Sequence, residues 1–248
     1  MTFLSRARRV AVILGFGSIL AASEARAGFV VTAEAAGVQN SQLSGVVTES
    51  FDKIATGKYT SLTTAVGTIT SPGLSVIAAD AYGGAGGSGR YAAIGAQSGT
   101  LTATLTLLNP QSYFGFWWSA ADPNNLIDFL SQGKVVASFD PSKALGSLGN
   151  SYFRNPNNTA NAGEKYAYLN IYGTDGSTFD QIRFTNLTAG SGYETDNWSI
   201  RSAPVTTAYS GATLNGAVVG AVPEPSSLAL VASGLAGLVG LRLRRKAA

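Results

Sequence analysis

The sequence predicts an all-β protein, an antiparallel β-sandwich of jelly-roll-like kind, and three observations carry that reading. Residues 28–221 are rich in Gly, Thr, Ser, Val and Tyr and hold few leucine runs at helical spacing. Gly, Asn or Pro breaks them roughly every ten residues, as turns between short strands do. Several stretches alternate apolar and polar residues with period two, so that one face of a strand meets a core and the other does not.

The elements follow in chain order. In Leu101 to Leu107, Leu101, Ala103, Leu105 and Leu107 share one face and Thr102, Thr104 and Thr106 the other. In the aromatic stretch Tyr113 to Trp118, Phe114, Phe116 and Trp118 fall on one face and Tyr113 and Trp117 on its opposite. Val135 to Phe139 and Gln181 to Phe184 are further strands, and Pro141 to Leu148 is one short helix, with Asp140 as N-cap and Pro141 as first residue. In Lys165 to Tyr172, Ala167, Leu169 and Ile171 make the apolar face, and Tyr166, Tyr168, Asn170 and Tyr172 the other. Turns are expected at Gly83–Gly89, Asp122–Asn125, Asn155–Asn161 and Thr174–Ser177. The glycine run at 83–89 has no Lys-Ser or Lys-Thr after it and opens no helical pattern, so it is a β loop and not a phosphate cradle.

The two ends have a different character. Residues 1–27 have the order of a secretory signal peptide: basic Arg6, Arg8 and Arg9, an apolar stretch from Val10 to Ala22, and Ala25 and Ala27 in A-x-A spacing, with cleavage expected after Ala27. In residues 222–248, Val222, Pro223, Glu224 and Pro225 lead into 17 uncharged residues from Pro225 to Leu241, followed by basic Arg242, Arg244, Arg245 and Lys246. At about 1.5 Å per residue this run just spans a hydrocarbon layer as a transmembrane helix, and the basic cluster anchors the cytoplasmic side. The prolines flanking Glu224 exclude helix there and leave an extended segment that a protease can grip. On hydropathy alone an ordinary C-terminal anchor fits as well.

The order of those three parts closely resembles the PEP-CTERM signal of exosortase-dependent surface proteins of Gram-negative bacteria, which combines a Pro-Glu-Pro motif, a short apolar helix and an Arg-rich end. The resemblance implies export through signal peptidase, transient membrane retention, cleavage by an exosortase near Pro223–Pro225, and release to the cell surface or matrix. A second resemblance covers most of residues 50–201. The phrases Tyr113 to Ala120, Phe153 to Asn157, Lys165 to Asn170, Phe179-Asp180-Gln181 and Gly192 to Asn197 look like one family of such proteins. That family is recognised by its sorting and sequence pattern and has no known activity.

Charge and composition exclude several classes. Without its two ends the chain has nine Lys and Arg against twelve Asp and Glu, a net charge of −3, so the basic balance belongs to the targeting segments and nucleic acid is not an expected partner. The sequence contains no His and no Cys, which removes Ser-His-Asp and Cys-His catalysis, His or Cys zinc sites and disulfides. Membrane contact is expected only through the C-terminal helix.

Three constellations remain. If the second face of the aromatic strands is exposed, Tyr113, Trp117, Tyr166, Tyr168 and Tyr172 form a flat platform for sugar rings and make extracellular polysaccharide a partner. The alternative is ordinary cross-strand packing. Asp52 and Asp196, on an early and a late strand, are candidate ligands of a structural calcium, or else loop caps. The oxygen-rich loop Asp122, Asn124, Asn125 and Asp128 lacks the Gly and Glu of an EF-hand. No spacing singles out a carboxylate pair for glycoside hydrolysis. The expected protein is therefore not an enzyme but a structural or adhesive surface domain of biofilm or exopolysaccharide. Its alternatives are a specific carbohydrate-binding module and, behind that, a carboxylate-based glycosidase.

Overall fold

The computed structural model describes residues 28–206 and 208–220, and every strand pairing among them is antiparallel. The chain runs through β1 (Gly28–Ala33), β2 (Val47–Glu49), β3 (Gly57–Thr64), β4 (Gly67–Ala78), β5 (Arg90–Gly95), β6 (Thr102–Gln111) and β7 (Tyr113–Ala121). After β8 (Asn125–Ser131) and β9 (Lys134–Phe139) comes the helix α1 (Pro141–Ser147). The rest is β10 (Lys165–Thr174), β11 (Phe179–Asn186), β12 (Gly192–Arg201), β13 (Ala212–Thr213) and β14 (Val218–Gly220). The all-β class is as expected, and so is α1: Asp140 is extended and its carboxylate accepts the Lys143 amide at 3.0 Å, with Pro141 opening the helix.

The strands are ordered β13-β1-β10-β7-β12-β5-β4-β6-β11-β8-β9-β14, with β2 beside β12 and β3 beside β4. This single sheet folds over on itself. Phe114 of β7 meets Phe129 of β8 and Phe184 of β11, Trp118 stands edge-on to Phe139 of β9 at 5.4 Å, and Trp198 of β12 stacks on Phe184 at 4.7 Å. The alternating apolar residues supply this core: Phe114, Phe116 and Trp118, and Ala167, Leu169 and Ile171, are all buried in it. One detail departs from expectation. Leu101 precedes β6 and is exposed, whereas Ala103, Leu105 and Leu107 point inward.

Two sequence neighbours, β13 and β14, lie at opposite ends of the strand order. β13 pairs with β1 and β14 with β9, while Leu214 donates its amide to Val31 O at 2.9 Å and Asp140 donates its own to Ala217 O at 2.8 Å. Residues 212–220 thus stitch the two edges of the folded sheet together. The candidate signal-peptide residues, Ala25 and Ala27 included, and the sorting residues 222–248 lie outside the described residues. Among the described residues no helix is long and apolar enough to cross a membrane.

Candidate functional site

The second face of β7, β10 and β12 corrects one expectation. Tyr113, Trp117, Tyr166, Tyr168 and Tyr172 are each at most 1% exposed, so this face is no open platform. Loops roof it, and the hydroxyls of Tyr113, Tyr166 and Tyr172 hold them, while that of Tyr168 bonds strand β12. Tyr113 Oη lies 2.7 Å from Ser41 Oγ and donates to Asn170 Oδ1. Tyr166 Oη donates to Ala81 O at 2.9 Å, Tyr168 Oη to Ser199 Oγ at 2.9 Å, and Tyr172 Oη accepts the Ser210 amide. A tyrosine can be buried beneath polar loops because its ring needs cover and its hydroxyl needs a partner, and the loops supply both.

Asp52 and Asp196 serve loops as well. Asp196 stands opposite Trp117 in the β12/β7 ladder, is buried, and accepts the amides of Ala85 at 2.8 Å and Asn197 at 2.7 Å. Exposed Asp52 accepts the Arg90 amide at 2.9 Å and the Ser50 hydroxyl at 3.1 Å. Burial pushes the Asp196 carboxyl up to about 8 against the pull of its two amide donors, and the charges of Asp52 and Glu49 add to the rise.

Where that face reaches the edge of the roof there is an open cleft of about 440 Å³, lined by Tyr82, Gln97, Asp122, Glu164, Ser191 and Glu194 together with small residues. A bulge shapes it. The β7/β10 register shifts between Lys165 and Ala167, and Ala120 takes a left-handed φ of 43° at the cleft wall. Glu194 is 2% exposed and accepts a hydrogen bond from Gln97 Nε2. Burial pushes its carboxyl up to about 8, Gln97 works against the rise, and the charges of Glu164 and Asp80 add to it. Glu164 is likewise raised, by burial and then by Asp122. Gln97 Oε1, Glu164 Oε2 and the hydroxyl of Ser119, which faces Glu194 across the ladder, are buried without a hydrogen-bond partner. No lysine or arginine lines the cleft.

Residues 221–246 match the PEP-CTERM protein-sorting motif. The chain carries a PEP-CTERM signal. This signal contains Val222, Pro223, Glu224, Pro225 and the basic residues Arg242, Arg244, Arg245 and Lys246, and it implies exosortase-dependent sorting to the cell surface. No curated protein and no solved structure matches the chain.

The part of the molecule upstream of the PEP-CTERM signal thus presents a cleft that was not singled out from the sequence. Chemically the cleft is a hydrogen-bonding pocket weighted toward acceptors. Burial raises the carboxyls of Glu164 and Glu194 above the usual carboxylate range, and the edge of one exposed ring, Tyr82, lies at the rim of the cleft.

Proposed function

We propose that this is an exported structural or adhesive protein of a Gram-negative envelope or extracellular matrix. Signal peptidase cleaves it after Ala27, the apolar run from Ser226 to Leu241 holds it in the inner membrane, and an exosortase cuts it near Pro223–Pro225. The observation that carries this reading is the sorting match over residues 221–246. In this reading the folded-over sheet is a jelly-roll-like sandwich that acts without turnover, and Asp52 and Asp196 cap loops and do not hold calcium. The test replaces Pro223, Glu224 and Pro225 by Ala and follows the protein by cell fractionation. The variant is expected to accumulate in membranes; normal release overturns the sorting route.

A carbohydrate-binding role is favoured by one specific observation, the 440 Å³ cleft with Tyr82 at its rim, a volume suited to small ligands. It shifts the binding surface from the roofed tyrosines to Glu194 and its neighbours. Saturable binding of a defined glycan would separate this role from a purely structural one.

A further inference from the structure

The Glu194 cleft holds more acceptors than donors. Asp122, Glu164 and Glu194 bring carboxylates and no cation faces them from the lining. The Gln97 amide hydrogens are turned to Glu194, which leaves Gln97 Oε1 buried and unpartnered; Glu164 Oε2 is in the same state. Beneath them Ser119, fully buried on the same face of the sheet and directly opposite Glu194, has a hydroxyl with no partner. Buried polar groups in folded proteins are almost always satisfied, and buried carboxylates are paired or neutral. Of these groups, Gln97 Oε1 and Glu164 Oε2 line the cleft and call for a hydrogen-bond donor, and a positive charge on that donor would answer the carboxylates.

Size selects among donors. Among the described residues no three acidic side chains converge at a spacing that would hold a metal ion. The cleft has room for a ring. Tyr82, 45% exposed, offers that ring an aromatic surface.

We propose that the cleft binds an amine-bearing sugar unit of a polysaccharide, with the ammonium toward Glu164 and Glu194 and the ring against Tyr82. The proposal rests on the adhesive reading above and gives it a ligand class. A lysine side chain of a partner protein would bring the same ammonium but neither the ring nor the hydroxyls that the remaining acceptors call for.

The experiment is calorimetric titration of the full chain in detergent with glucosamine oligomers, their N-acetylated counterparts and a lysine-rich peptide. Saturable binding of the glucosamine oligomer is expected, with the acetylated oligomer and the peptide binding at least about tenfold more weakly. Loss of a charge-assisted hydrogen bond is of that order. Glu164→Gln and Tyr82→Ala, at positions that are not fully buried, should each weaken binding by a similar factor while keeping the wild-type melting curve. Equal binding of both oligomers, equal binding of the peptide, or indifference to Glu164→Gln overturns the proposal. Normal surface release together with any of these results would overturn the ligand and leave the sorting reading standing.

Discussion

Gly115, the third residue of β7, sits directly under the hydroxyls of Tyr113 and Tyr168. A Cβ there would lie 2.7 Å from Tyr168 Oη and closer still to Tyr113 Oη. The absence of a side chain is what lets both hydroxyls cross the strand to Asn170 and Ser199. Gly115→Ala is expected to destabilise the protein by about 1–3 kcal/mol, as overpacking does, and urea unfolding measures it. The buried acids make a second prediction at this scale. Glu194 and Asp196 are both raised to about 8 in the folded protein, mainly by burial, whereas unfolded carboxyls titrate near 4. A group raised in this way contributes stability that is complete below its unfolded value and is lost as pH climbs through the folded value. Melting temperature should therefore fall between about pH 5 and pH 9, and Glu194→Gln should flatten that fall. A profile that rises with pH over this range would contradict both assignments.

At the scale of the element, β10 carries two cores. Ala167, Leu169 and Ile171 face the aromatic interior, and Tyr166, Tyr168 and Tyr172 face the loops. Trp117→Ala, on the loop side, should cost about 3–5 kcal/mol, the range for truncating a buried aromatic, and a thermal melt checks it. Near-zero cost would mean that the roof is not part of the fold. The strands themselves were legible in the sequence, because period-two alternation reports which side chains share a face, and Leu105, Phe116 and Leu169 lie where it puts them. What alternation does not report is what covers a face. The roof over this face comes from distant loop segments, with Ser41 at Tyr113, Ala81 at Tyr166 and Ser210 at Tyr172, and no local pattern announces contacts across such separations. The cleft escaped for the same reason. Glu164, Gln97 and Glu194 belong to three separate stretches of chain, and only the bulge at Ala120 and the fold of the sheet bring them to one wall. Helix α1 was the easier case, since Asp140 and Pro141 carry its start within two residues.

At the scale of the whole molecule, stability depends on pairs far apart in sequence: Gly28 with Thr174, Phe139 with Val218. Topologies of this kind close late and fold slowly. Deleting residues 212–220 would remove β13 and β14 together, with buried Leu214 and Ala217 between them. The expected result is a large loss of melting temperature, accompanied by aggregation as the edges of β1 and β9 become free to pair with other copies. A soluble truncated protein with an unchanged melt would show that the stitch is dispensable.

That stitch ends at Gly220, and the sorting match begins at residue 221. The segment that seals the domain is thus contiguous with the segment the envelope machinery handles, with no spacer between them. A cut inside the sorting motif leaves β14 in place, whereas a cut only a few residues upstream removes β14 and bares the edge of β9 while β13 stays on β1. Placement of any cut near this boundary therefore carries a second duty: it decides whether the β9 edge stays covered or is left open to other chains.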